Sequence, residues 1–172
     1  MNIGAVGAEG RGETDRLISQ AALELERRGL RLSGIIKVLQ DMPDDSHQCD
    51  MDVRVLPSQN TIRITQSLGH GSNGCRLNPA AIADAVGAVE ASLDGQKPDV
   101  FVLNKFGPEE AEGRGFRAAI AAALEQGIPV LVGMSGGQAN KVAFADFTAG
   151  MAESLPISVD EIVTWCLKVS RK

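Results

Sequence analysis

Apolar residues along this chain fall into two rhythms, and their order predicts the architecture. Ile3-Gly-Ala-Val6 is a short buried strand that runs into Gly7-Ala-Glu-Gly-Arg-Gly12, too glycine-rich to be anything but a loop. Across residues 13–28 the apolar positions Leu17, Ile18, Ala21, Ala22 and Leu25 recur at helical spacing, and Gly29 follows as a stop. Residues 30–39, with Ile35, Ile36 and Val38, predict the next strand. Strand, glycine loop, helix and strand in that order make a βαβ unit.

The rhythm then changes to period two. Met51-Asp-Val-Arg-Val-Leu56 and Thr61-Ile-Arg-Ile-Thr65 alternate apolar and polar residues on either side of Pro57-Ser-Gln-Asn60. Such alternation predicts two half-exposed antiparallel strands, a β-hairpin inserted into a parallel plan. Residues 68–76 read as a loop. Asn78 then caps a helix that has Pro79 in its first turn and runs to about Leu93. Further along, residues 99–103 and 128–132 are continuous apolar strands, and residues 115–126, 141–149 and 159–169 are helical. With no repeat and no linker, residues 1–172 form one three-layer α/β domain with a mainly parallel sheet.

Composition agrees with that plan. Hydrophobic residues are 44% and charged residues 23% of the 172, and the aromatics are five Phe, one Trp and no Tyr. A core of Ala, Val, Ile and Leu suits helices packed on a buried parallel sheet. The net charge of −5 excludes a broad nucleic-acid surface, though not one small pocket of positive potential. No apolar run reaches the roughly 18 residues that span a bilayer, no signal-peptide pattern opens the chain, and three cysteines make no disulfide framework. The expected compartment is the cytoplasm.

The first loop carries the candidate chemistry. A loop of the form G-x-x-x-x-G-K-[ST] between a strand and a helix wraps phosphates with backbone N–H groups, while its Lys reaches the β/γ-phosphates and its hydroxyl holds magnesium. Here the stretch is Gly7-Ala-Glu-Gly-Arg-Gly-Glu-Thr14, with Gly7, Gly12 and Thr14 in register and Glu13 where the Lys belongs. At about 4 Å and an effective dielectric near 20, a unit charge is worth roughly 4 kcal/mol, so the exchange weakens phosphate binding severely. The backbone donors and the helix N-terminus survive and still attract an anion. Gly10 adds backbone freedom, and Arg11 offers a replacement cation or a solvated side chain. Glu13 would either guard the nest or simply favour the first helical turn.

A second departure lies at the end of the strand at 99–103. Enzymes with such loops place an acidic pair there for magnesium and water; this chain has Asn104 and Lys105. The stretch Asn104-Lys-Phe-Gly-Pro-Glu-Glu110 resembles, in its Gly and final Glu, the Asp-Glu-Ile-Gly-Lys-Met-Glu segment of a nucleoside-triphosphatase family with a Lys-containing P-loop. The chain more closely resembles an uncharacterised bacterial family of unknown function. That likeness lies in the degenerate loop, Cys49-Asp-Met-Asp52, Gly74-Cys-Arg-Leu77 and the stretch from Asn104 to Arg117, nearly the whole chain. It implies a P-loop NTPase-like fold and, because that family's genes often neighbour those for molybdate transport, an association with molybdenum metabolism. Hydrolytic activity does not carry over, because the departures fall on catalytic positions. The opposite exchanges at Glu13 and Lys105 predict an ion pair between them, on the expectation that the two strand ends lie side by side.

The remaining candidates are secondary. His47, Cys49, His70 and Cys75 lie in one loop-and-hairpin region, but neither C-x-x-C nor H-x-x-x-H spacing is present. Cys49 and Cys75 are therefore weak metal candidates beside the simpler reading of thiols and solvated imidazoles. Cys75 and Arg76, ahead of the helix capped by Asn78, are candidate oxyanion contacts; Arg76 pairing with Asp52 is the structural alternative. Arg114 and Arg117 either make local salt bridges or restore the charge lost from the loop. The glycine loop at 133–137 stands where P-loop folds often meet a nucleotide base, or merely permits a turn. Cys166 beside Trp165 belongs to the core.

The expected function is binding of a phosphate-like ligand or nucleotide without efficient hydrolysis, as an accessory factor in molybdenum metabolism. A nucleotide is the candidate cofactor, and Lys105 disfavours magnesium. The alternatives are an active nucleoside-triphosphatase using Lys105 or an arginine as substitute cation, and a metal or molybdate binder through Cys49 and Cys75.

Overall fold

The computed structural model describes residues 1–39, 51–58, 60–66 and 76–170, the side chains of Gln66 and Arg76 excepted. The first βαβ unit is β1 (Ile3–Val6), α1 (Glu13–Arg27) and β2 (Leu32–Lys37). β3 (Asp52–Leu56) and β4 (Thr61–Arg63) follow as the expected hairpin, and β5 (Thr65–Gln66) pairs with β6 (Arg76–Leu77) in a separate two-stranded ribbon. The rest alternates: α2 (Pro79–Leu93), β7 (Val100–Phe106), α3 (Pro108–Ala111), α4 (Arg117–Glu125), β8 (Val130–Met134), α5 (Gln138–Phe147), β9 (Glu153–Ser154) and α6 (Val159–Ser170). Neither α3 nor β9 is legible in the pattern, because one turn of helix and two residues of strand are too short to show a period.

The main sheet has seven strands in the order β4-β3-β2-β7-β8-β1-β9. β2, β7, β8, β1 and β9 run parallel, and the hairpin adds its two strands antiparallel at one edge. Two corrections follow for the expected layout. β1 and β7 are not neighbours, because β8 lies between them. β7 also continues past residue 103 and carries Asn104 and Lys105 within the strand.

Alternation along the strands sends side chains to both faces. Val100 and Val102 pack with Leu17, Ile18 and Leu25 of α1 and with Ile162, Trp165 and Cys166 of α6. Phe101 and Leu103 pack on the opposite side with Val89 of α2, Ile120 of α4 and Phe144 of α5. Helices on both faces hide the central strands, which explains their unbroken apolar runs. Asn78 caps α2 as its sequence predicts: its side-chain oxygen accepts from the N–H groups of Ala80 and Ala81 at 3.1 and 3.3 Å. Cys166 is fully buried, and burial pushes its thiol up to about 12, which leaves it an inert core residue. No helix among the described residues is long and apolar enough to cross a membrane.

Candidate anion site at the end of the sheet

The loop between β1 and α1 is held by its own polar groups. Thr14 Oγ1 accepts the N–H of Ala8 at 3.0 Å, which ties the start of the helix back to the start of the loop. Glu13 N–H donates to Gly10 O at 3.1 Å. Gly12, the residue before the helix, sits at φ +74°, a conformation that a side chain would strain, and it brings no capping group. The first turn of α1 thus starts on bare backbone, the condition for receiving an anion.

The loop forms one wall of an open cavity of about 430 Å³. Residues 7–12 and Thr14 line it on one side; Lys105, residues 134–136 and Lys141 line it on the other. Its side chains include three cations, Arg11, Lys105 and Lys141, against one carboxylate, Glu9. In a protein with a net charge of −5, this cleft therefore carries locally positive charge. Lys141 enters from α5, which begins at the glycine loop 133–137. It is exposed and has no ion-pair partner among the described residues. Sequence reasoning missed it because only the fold brings α5 beside the first loop.

The expected Glu13–Lys105 ion pair is not formed. Glu13 lies on the outer face of α1 with Arg16, at 2.5 Å between Oε1 and Nη2, and it is not among the residues lining the cavity. The hydrogen bond from Arg16 holds its carboxyl below the usual range. Lys105 pairs instead with Asp15, at 2.9 Å from Nζ to Oδ1. Intrahelical spacing explains both outcomes: Arg16 is three residues from Glu13 on the same face, whereas Asp15 points inward under the sheet end.

Asp15 is the centre of the site, and its role was not visible in the sequence. It is 3% exposed. Its Oδ2 lies 3.4 Å from Lys37 Nζ at the end of β2, and Oδ1 also accepts from Asn104 Nδ2 at 3.0 Å. Asn104 in turn accepts the backbone N–H of Lys37 at 3.1 Å, so β2, β7 and α1 are laced together by one polar cluster. Consecutive residues of a regular strand point to opposite faces, yet Asn104 and Lys105 both reach Asp15. The register supplies the reason. Between Leu103 and Phe106, β7 holds one more residue than the matching stretch of β8, a bulge that turns both side chains the same way. Gly133 on β8 makes room, since a Cβ there would lie 2.0 Å from Asn104 O. Two ammonium groups around one carboxylate leave this cluster with one positive charge in excess.

The other sequence candidates fall elsewhere. Arg114 binds Glu109 and Glu112, at 3.0 and 2.7 Å, and Arg117 lies over the Phe147 ring at 4.6 Å while donating to Glu110 O; of the two roles open to them, local contacts are the ones formed, and neither is among the residues lining this cavity. Asp52 pairs with Arg63 across the hairpin at 2.8 Å. Glu110 is buried at 6% exposure and accepts the N–H groups of Gly107 and Phe116 at 2.9 and 3.1 Å, which fixes the turn after β7. Burial raises its carboxyl above the ordinary value despite those bonds. Cys49, Cys75, His47 and His70 lie outside the described residues, as do the contacts expected of the Arg76 side chain.

Comparison with known proteins agrees with this geometry. Over its whole length the chain is similar in structure to a human cancer-related nucleoside triphosphatase, with a TM-score of 0.67, 19% identity and coverage of 99% of each chain. It is likewise similar to THEP1 from the hyperthermophile Aquifex aeolicus, with a TM-score of 0.65, 12% identity and full coverage of both. These likenesses establish the P-loop NTPase-like fold. In sequence, 154 residues are 36% identical to the molybdenum import ATP-binding protein ModC 2 of Bradyrhizobium diazoefficiens, which covers 89% of this chain but only 17% of that protein. A loop between the first strand and helix, a mainly parallel sheet and a match over residues 3–165 agree, and the chain belongs to the family described as "Protein of unknown function (DUF2478)".

Proposed function

We propose that this chain binds a phosphate-bearing ligand, a nucleotide in the first instance, in the cleft between residues 7–14 and Lys105, and that it hydrolyses that ligand poorly or not at all. The observation that carries this reading is the Lys105–Asp15 contact at 2.9 Å, at the strand end where a triphosphatase of this fold keeps its acidic pair. An ammonium group there repels a divalent cation but attracts phosphate oxygens. Asp15 is itself already engaged by two lysines and an amide, so it offers magnesium no free carboxylate. The cations of the cleft come from Arg11, Lys105 and Lys141 instead of the P-loop position held by Glu13. The likeness to an ATP-binding protein of molybdenum import supports nucleotide binding and favours a cytoplasmic accessory role in molybdenum metabolism.

Thermal-shift scans with ATP, GTP, GDP and molybdate, each with magnesium and with a chelator, test this. The expected result is stabilisation by a nucleotide that is equal in both conditions, with no phosphate release; at one hundred times its dissociation constant a ligand adds about 2.7 kcal/mol. Magnesium-dependent stabilisation accompanied by phosphate release would establish the active triphosphatase instead. Stabilisation by molybdate alone would move the function to an oxyanion site.

A further inference from the structure

A second cavity, of about 140 Å³, shares Lys105 with the anion nest. Its walls are the apolar side chains of Ile35, Val53, Ile64, Ile82 and Phe116, drawn from β2, the hairpin, α2 and the segment after β7. Lys105 and Ser135 line both cavities, so the two meet at a polar threshold. The volume is close to that of an apolar protein cavity that takes up benzene, about 150 Å³.

The chemistry inside is one-sided. Asn104 is spent on Asp15 and Lys37, both oxygens of Glu110 on backbone N–H groups, and Glu109 on Arg114. Among the described residues, no polar side chain of the wall other than Lys105 and Ser135 is left to read a ligand. A nucleobase placed here would leave its ring nitrogens and exocyclic groups without partners, at a cost for each buried group. A plain hydrocarbon ring has nothing to leave unpaired.

We propose that the two cavities form one bipartite site for an organic phosphate ester: the phosphate sits in the nest against Lys105, and an apolar group of about six carbons fills the chamber beyond it. This rests on the phosphate-binding reading above and narrows its substrate class, since a nucleotide would have to send its base elsewhere.

Titration of the isotope-labelled protein with inorganic phosphate, phenyl phosphate and ribose 5-phosphate, followed by chemical shifts, tests it. Phenyl phosphate is expected to bind at least about tenfold tighter than inorganic phosphate, a fraction of what complete burial of a ring would yield. Ribose 5-phosphate, similar in size but polar, is expected to gain less than about twofold. Filling the chamber with Ile82→Phe, or with Leu77→Trp from its more exposed rim, should abolish the phenyl preference and leave inorganic phosphate affinity unchanged. Equal affinities for phosphate and phenyl phosphate would overturn the bipartite site while leaving the nest intact. A phenyl preference that survives in both filled variants would overturn it too, by locating the ring elsewhere. Binding of none of the three probes would overturn both readings together.

Discussion

Asp15 offers the sharpest test of how the site is built, because its replacement should weaken the fold and strengthen anion binding at once. Its carboxylate is 3% exposed and meets Lys105, Asn104 and Lys37 at 2.9, 3.0 and 3.4 Å. Removing one member of a buried ion pair typically costs about 3–5 kcal/mol, because the other charge stays buried and unpaired. Lys37 and Lys105 are 30% and 33% exposed, so they recover part of their hydration by swinging outward. Asp15→Ala is therefore expected to cost about 2–3 kcal/mol. With a urea m-value of about 2 kcal/mol per molar, the midpoint should fall by about 1–1.5 M. The single tryptophan, Trp165, is buried on α6 against Glu153 and reports the transition by fluorescence. The same variant removes one negative charge from behind the nest. At about 8 Å and an effective dielectric near 40 that charge is worth about 1 kcal/mol, so inorganic phosphate should bind about fivefold tighter. A midpoint shift below about 0.3 M, or a loss of phosphate affinity, would refute the picture of Asp15 as a structural counter-charge.

Four further outcomes follow from the same geometry. Thr14→Val removes the acceptor of the Ala8 N–H and is expected to cost about 1 kcal/mol in urea unfolding while weakening phosphate binding; unchanged affinity would mean that the loop keeps its shape without this tie. Lys141→Ala should lower phosphate affinity severalfold with no measurable change in stability, since the side chain is exposed and unpaired among the described residues; a stability loss would contradict its assignment to the cleft. Glu13→Gln should change phosphate affinity by less than about threefold, because its charge is exposed and matched by Arg16, and a large gain would restore Glu13 as a guard of the nest. Burial lifts the Glu110 carboxyl above its ordinary 4.5, so the folded chain retains a proton that the unfolded chain releases, and stability should fall as pH rises from 4.5 through that raised value. Glu110→Gln should flatten this slope while lowering stability overall by about 1–3 kcal/mol, and a slope that persists would assign it to another group.

Local pattern alone determined most of the architecture. The glycine loop between β1 and α1, the alternating hairpin, the Asn78 cap and the apolar runs of β7 and β8 each announce themselves within a dozen residues, because strand and helix periodicities are local properties. The residues that form the loop, Gly7 to Thr14, were legible for the same reason, as was the presence of Asn104 and Lys105 late in β7. Which charges meet was not legible. Pairing Glu13 with Lys105 followed from opposite signs, but Glu13 turns outward to Arg16 on its own helix face, and β8 separates the strands that were expected to touch. Asp15 and Lys37 looked like ordinary residues of a helix and a strand end. They became the heart of the site only through a one-residue bulge in β7 and the burial of the first turn of α1 beneath it. Periodicity places a side chain on a face; the partner waiting there depends on sheet order and register, which are set by packing across the whole domain.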